Sequence, residues 1–214
     1  TAFLNSDLKE EIYMQQPEGF IERGRDGQEL ICKLNKSIYG LKQASRNWNE
    51  EFKNWMVKEN NFTQSKVDTQ IFVSYYENQF LLVAIYVDDI LICEKKNGTM
   101  TEAFKKRLKA KWDMTDAGEV KYILGMKISR NKEQQSTTVT QTKHIQELVE
   151  KFGMADSKPI GSPMAENFNF TEDDKPIEGS QEEQEIKNCP FNELMGGLLY
   201  IANTRPDICY AVNY

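Results

Sequence analysis

Residues 80 to 93 read Phe-Leu-Leu-Val-Ala-Ile-Tyr-Val-Asp-Asp-Ile-Leu-Ile-Cys, an apolar run interrupted by two adjacent carboxylates. Its apolar residues are continuous rather than spaced at three and four, which argues against an amphipathic helix. It is too short for a bilayer span, and two aspartates count further against a membrane helix. What remains is a pair of buried strands joined at Asp88-Asp89. Ionised carboxylates inside an apolar run are costly unless something pairs them, and the nearby cations, Lys95 and Lys96, lie beyond it. A divalent metal is the expected partner, because hard cations take oxygen ligands. The competing reading is a solvated Asp-Asp turn, since Asp is a common turn residue.

A chain of 214 residues with 39% hydrophobic content, including 11 Phe, 9 Tyr and 3 Trp, can build a sizeable core. No apolar stretch is long enough to cross a membrane and no signal-peptide pattern opens the sequence, so a soluble protein is expected. Cys32, Cys93, Cys189 and Cys209 show no C-x-x-C spacing. Two of them fall in expected core segments, which points to reduced thiols in an intracellular compartment. The single histidine, His144, excludes a multi-histidine zinc site and reads as a surface residue of a helix. Net charge is −6, yet residues 166 to 187 alone carry that −6, and the remainder balances at zero. Lys105, Lys106, Arg107, Lys109 and Lys111 form a basic cluster opposed by Glu102. Phosphate contact needs a patch rather than a basic total, although a solvated helix face explains the cluster equally well.

Along the chain, extended stretches are expected at Glu11 to Met14 and Glu29 to Leu34, around a turn at Gly24 to Gly27. A helix follows from about Ser45 to Asn60, with Trp48, Phe52, Trp55 and Met56 on one core-facing stripe. Strands are expected at 70–76 and 80–87, joined around Glu77-Asn78-Gln79. Residues 100–112 read as an amphipathic helix with Phe104, Leu108 and Trp112 inward. Two more strands are expected at about Tyr122 to Ser129 and Thr137 to Thr140. Thr142 can cap a helix that runs to Phe152 and closes at Gly153. Ala155 to Asn188 reads as a mobile acidic linker. Helical character returns from Pro190 to Asn203, and Thr204-Arg205-Pro206-Asp207 restarts a last helix. Both ends read as cut from something longer.

Five segments then occur in order: Thr1-Ala-Phe-Leu-Asn, Glu11-Ile-Tyr-Met-Gln-Gln-Pro-Glu-Gly-Phe20, Cys32-Lys-Leu-Asn-Lys-Ser-Ile-Tyr-Gly-Leu-Lys-Gln-Ala44, Tyr86-Val-Asp-Asp89 and Thr204-Arg-Pro-Asp207. The ordered set resembles the reverse transcriptase of copia-type long-terminal-repeat retrotransposons over nearly the whole chain. The resemblance implies an α+β fold: a right-hand polymerase palm with partial fingers over 1–141, then the start of a helical thumb over 142–214 containing the flexible acidic segment 155–188. It implies RNA-directed DNA synthesis from deoxynucleoside triphosphates on an RNA or DNA primer-template, with two magnesium ions (manganese as the substitute). One ion assists attack by the primer 3′-hydroxyl and the other neutralises the leaving pyrophosphate. It also implies the rest of a Pol polyprotein as partner and an intracellular location in virus-like particles.

By the same resemblance, Asp88 is the direct metal ligand and Asp89 a supporting one. Adjacent strand residues face opposite ways, so the two are not equivalent. Phe3 matches the steric gate that excludes a ribose 2′-hydroxyl, against the alternative of a core phenylalanine. Gly40, Leu41, Lys42 and Gln43 match the nucleotide-binding loop, against a helix cap with solvated side chains. Tyr86 can touch the nucleotide or primer end, or pack. Leu124, Gly125 and Met126 resemble the hairpin that grips the primer, and Lys105, Lys106 and Arg205 are candidate phosphate contacts, against a solvated helix face for the lysines and a helix-end ion pair for the arginine. Family members carry a first catalytic aspartate three residues before the position of Thr1, in the pattern Asp-Val-Lys-Thr-Ala-Phe-Leu. The 214-residue polypeptide alone is therefore expected to lack polymerase activity. The rivals are a non-catalytic or co-opted remnant that binds nucleic acid or protein, and a nucleotide cyclase, which gives no reason for the Tyr39 to Ala44 segment.

Overall fold

The computed structural model describes residues 2–77, 79–95, 98–165, 171 and 174–214. Thr1 of the first motif, Asn78, Lys96 and residues 166–170 and 172–173 of the acidic segment lie outside the described residues. Strands and helices occupy separate stretches and the paired strands are antiparallel, an α+β arrangement. The chain divides into two compact units, Thr1–Gly118 and Glu119–Tyr214.

In the first unit, β1 (Tyr13–Gln15) and β2 (Ile31–Lys33) form a two-stranded ribbon. Helix α1 (Ala44–Asn54) runs on as a π-helical turn, Trp55–Glu59. An antiparallel sheet follows in sequential order: β3 (Thr63–Gln64), β4 (Ile71–Tyr76), β5 (Gln79–Tyr86) and β6 (Asp89–Glu94). Helix α2 (Thr99–Lys111) completes the unit. β5 alternates as a half-buried strand should: Leu81, Val83 and Ile85 are buried, while Phe80, Leu82 and Ala84 are less so. The buried face meets Trp48, Phe52, Trp55 and Met56 from α1 and its extension, with Phe104, Leu108 and Trp112 from the region of α2. Both sequence stripes are thus core. Aromatic rings interlock there, Trp55 with Trp112 at 4.8 Å and Phe52 with Trp112 at 5.5 Å. The expectation of core cysteines fails, because strand alternation leaves Cys93 exposed and Cys32 half-buried. All four thiols are free.

Glu94 closes the sheet onto α2. The N-cap of α2, Gly98, has no side chain to satisfy the first backbone amides. The Glu94 carboxylate accepts from Met100 N at 3.2 Å and Thr101 N at 2.9 Å instead. Burial pushes its pKa up, but bonds from Thr101 and Met100 outweigh that and hold it below the ordinary glutamate value. A carboxylate depressed in the folded state stabilises above its unfolded pKa, and that contribution fades as pH falls through the folded one. Glu94→Gln should cost about 1 kcal/mol at neutral pH, the scale of a lost cap. Urea titrations should show the difference from wild type shrinking as pH falls through the lowered folded-state pKa of Glu94, where its carboxylate takes up a proton.

The second unit carries a three-stranded meander, β7 (Tyr122–Ile123), β8 (Met126–Asn131) and β9 (Ser136–Thr140), then helices α3 (Thr142–Lys151), α4 (Gln181–Asn188), α5 (Phe191–Ala202) and α6 (Cys209–Asn213). The strand expected over Tyr122 to Ser129 is broken by a two-residue turn, with Leu124 at φ 49 and Gly125 at φ 74. Positive φ at both positions is the geometry of a tight hairpin. Thr142 is the first residue of α3 rather than its cap; Gln141 holds that place and makes no side-chain cap bond. Gly153, at φ 65, closes the helix as expected, with Met154 N reaching back to Val149 O at 2.8 Å.

The reading of 155–188 as linker throughout is corrected by α4. Ser180 accepts from Glu183 N and Glu183 accepts from Gly179 N, close to a capping box. Gln141 is the buried polar centre of the unit. Its amide donates to Tyr200 O at 3.1 Å and accepts from the Thr204 hydroxyl at 2.6 Å. His144 is half-buried rather than a surface residue, edge-on to Tyr200 at 4.8 Å.

Candidate active site

The site lies where β5 turns into β6. Tyr86 pairs with Asp89 across the hairpin, so the turn residues are Val87 and Asp88. Val87 holds φ 52, an unusual conformation for a β-branched residue. Strain of this kind persists only when the surroundings impose it. Here the buried Trp48 supplies the constraint, its indole Nε1 donating to Val87 O at 2.9 Å. Helix α1, placed by its apolar stripe, thereby fixes the conformation of the Val87-Asp88 turn.

Asp88 and Asp89 are both exposed. The premise that they sit inside the apolar run, needing an ion to offset burial, is therefore corrected: the run ends at the turn, and both carboxylates stand at its tip. They differ in surroundings. Asp89 shares a face of the sheet with Tyr86, Ala84 and Leu91, the face opposite Val83 and Ile85. Asp88 is held by neighbours distant in sequence. Its Oδ1 accepts from Ala2 N at 2.8 Å, and the Tyr39 hydroxyl donates at 2.7 Å to Oδ1 and 2.8 Å to Oδ2. Slight burial pushes the Asp88 pKa up, but these bonds outweigh it and leave the carboxyl below its usual range. The carboxylate in turn raises the Tyr39 phenol above its ordinary value.

The segments bearing Phe3 and Tyr39 are laced together by backbone bonds, Ser37 N to Ser6 O at 3.0 Å and Leu8 N to Asn35 O at 3.3 Å. Ser6 and Ser37 are buried. Phe3 consequently packs on Tyr39 with ring centroids 4.5 Å apart, and its inner edge meets the core. The gate and core readings of Phe3 are compatible in this geometry. Gly40, at φ 97, makes the turn into α1, a conformation that suits glycine. Lys42 is exposed, and Gln43 stands half-buried at the N-cap of α1. Tyr86 is 60% exposed at the end of β5.

The remaining candidates are distributed differently. Lys105 is engaged by Asp116 at 3.2 Å and Glu102 at 3.5 Å. Lys106 is exposed, and among the described residues it makes no ion pair. In the second unit, Leu124, Gly125 and Met126 do form a hairpin. The Tyr200 hydroxyl donates to Leu124 O, and a side chain at Gly125 would meet that hydroxyl at 2.5 Å. Arg205 pairs with Asp207 through two nitrogens.

Two exposed carboxylates, Asp88 in the turn and Asp89 at the start of β6, offer hard oxygen donors. Magnesium is commonly held by one or two carboxylates plus substrate phosphates, so the donor set fits that ion. Among the described residues no group of three or more His, Cys, Asp or Glu side chains gathers as a metal site. Tyr39 and Trp48 bond to the turn, Tyr39 to Asp88 and Trp48 to Val87 O, contacts that the sequence reading did not assign to either residue. A signal existed for Trp48, since a buried indole N–H seeks an acceptor.

The geometry is that of a strand-turn-strand carboxylate site beside an aromatic ring, and comparison with known proteins defines its class. Residues 1–166 match the reverse transcriptase (RNA-dependent DNA polymerase) family, and the chain belongs to it. Its relatives are copia-type transposon polyproteins. The chain is 39% identical over 99% of its length to the retrovirus-related Pol polyprotein from transposon TNT 1-94 of Nicotiana tabacum, and 33% identical over 99% to that from transposon RE1 of Arabidopsis thaliana. It spans 16% and 14% of those two proteins. No solved structure matches the chain.

Proposed function

We propose that this chain is the part of a copia-type reverse transcriptase carrying the Asp88-Asp89 side of a two-metal nucleotidyl-transfer site. The single observation that supports this best is the rigid presentation of Asp88, beside Phe3 and the Tyr39 to Gln43 loop, on a turn pinned by Trp48. In that reading residues 1–141 belong to the palm and partial fingers, and 142–214 begin the thumb. The substrates are deoxynucleoside triphosphates and an RNA or DNA primer-template. The remaining parts of a Pol polyprotein are its partners, and virus-like particles within the cell are its setting.

Divalent magnesium, with manganese as its substitute, would neutralise phosphate charge and assist the attacking primer 3′-hydroxyl. Asp88 would be its direct ligand and Asp89 a supporting carboxylate. The chain's own residues do the rest. Phe3 presents a ring that rejects one extra sugar oxygen by clash. Gly40 lets the nucleotide approach the backbone, while Lys42 offers a cation to phosphate and Gln43 an amide. Tyr86 flanks Asp89 at the primer side. The Leu124–Gly125 turn, with Met126, Lys105, Lys106 and Arg205, serves the primer-template. For Lys105 and Arg205 this means exchanging an exposed ion pair for phosphate, and such pairs are worth little. Among the described residues no helix is long and apolar enough to cross a membrane.

The test grafts these 214 residues into the aligned part of the tobacco polyprotein and measures deoxynucleotide incorporation on a primed RNA template. Magnesium-dependent incorporation by the chimera, with none from the 214-residue polypeptide alone, is the expected result. A chimera that extends nothing while the unmodified polyprotein does would refute the proposal.

A further inference from the structure

A cation chelated by a carboxylate sits equidistant from its two oxygens. In this structure the hydroxyl oxygen of Tyr39 holds that position on Asp88, at 2.7 and 2.8 Å. With Ala2 N also bound at 2.8 Å, Oδ1 has both acceptor sites filled, and Oδ2 keeps one free. Phenol and chelated ion exclude each other, because magnesium needs approach to about 2.1 Å from its oxygen ligands.

We infer that Tyr39 is a positioning residue that latches Asp88 and yields its place to an incoming divalent ion. The inference rests on the proposed role of Asp88 as a metal ligand. It also assigns a consequence to the ring. Tyr39 packs on Phe3 at 4.5 Å, so release of the phenol frees the face of the ring that would meet the sugar. Its backbone is tied by Ser37 and the turn at Gly40, which leaves side-chain rotation as the route of release. The ring is 51% exposed and has room to turn. Trp48 keeps the Val87 carbonyl fixed throughout, so the carboxylate stays in place when its latch leaves.

Trp48 also supplies the readout. Its indole N–H lies 2.9 Å from Val87 O, one residue from Asp88, whereas among the described residues Trp55 and Trp112 make no hydrogen bond to the turn. Manganese titrated into ¹⁵N-labelled full chain should broaden the Trp48 indole signal first. Tyr39→Phe keeps the ring on Phe3 and removes only the hydroxyl. It should tighten manganese binding by roughly three- to tenfold, the reach of one ordinary hydrogen bond at an exposed site. A purely structural role for the hydroxyl would leave that affinity unchanged or weaken it, and either result overturns the latch. Asp88→Asn separates the two ideas. If Asp88→Asn abolishes selective broadening while Tyr39→Phe leaves the affinity unraised, the metal site stands and the latch falls. If Asp88→Asn broadens like wild type, the metal reading fails, and the latch with it. The same spectra report whether each variant is folded.

Discussion

Asp88→Asn should reduce magnesium-dependent incorporation by the chimera at least about 10²- to 10³-fold, the loss typical when one preorganised electrostatic group is removed from a transition state. Asp89→Asn should cost only about 10- to 100-fold, as supporting partners of a metal ligand do. The difference follows from placement. Asp88 stands in the turn itself, held from two directions by Ala2 and Tyr39. Asp89 already belongs to β6 and shares a sheet face with Tyr86. Asparagine can still accept from both neighbours of Asp88, so a loss of activity there reports charge rather than folding. Equal losses for the two variants would mean that the turn presents both carboxylates alike.

Trp48→Ala should be the most damaging single change to stability in the first unit, about 3–5 kcal/mol. Trp48 is 3% exposed and touches Phe52 and Trp112 at ring-centroid distances of 5.6 and 5.3 Å. Truncation removes a large buried surface, leaves a cavity between α1 and the sheet, and strips the Val87 carbonyl of its donor. Trp48→Phe separates these effects. It keeps most of the packing and loses the N–H, so it should cost about 1 kcal/mol more than the lost volume alone. The strained Val87 conformation should relax with it. Urea unfolding followed by far-ultraviolet circular dichroism measures the first effect. Weakened manganese broadening of the Val87 and Asp88 amides measures the second.

Much of the first unit is written in its periodicity. Trp48, Phe52, Phe104, Leu108 and Trp112 recur at helical spacing, and burial of that stripe decides the packing of α1 and α2 against the sheet. The strand β5 and the hairpin end at Asp88-Asp89 are equally legible from a continuous apolar run. Three things were not. The break at Leu124 and Gly125 is visible in the family resemblance but not in the strand pattern over Tyr122 to Ser129, because leucine rarely takes positive φ and the glycine beside it is the local sign. Helix α4 was hidden by its acidic, weakly apolar composition, although Ser180 and Glu183 carry the spacing of a helix start. The hold of Tyr39 on Asp88 joins residues 49 positions apart, which no local pattern encodes. The burial argument for a metal failed on a matter of register. The apolar run was real, but the two-residue turn falls on Val87 and Asp88 and lifts both carboxylates into solvent.

The most direct test is iron-directed cleavage of the folded chain. Ferrous ion with ascorbate and peroxide cuts the backbone beside the place where a divalent cation rests, and mass spectrometry locates the cut. Scission should fall between Tyr86 and Asp89, diminish with excess magnesium, and vanish in Asp88→Asn. Cleavage spread without preference along the chain, or a cut at the hairpin that survives loss of the Asp88 charge, would contradict a divalent-ion site on this turn.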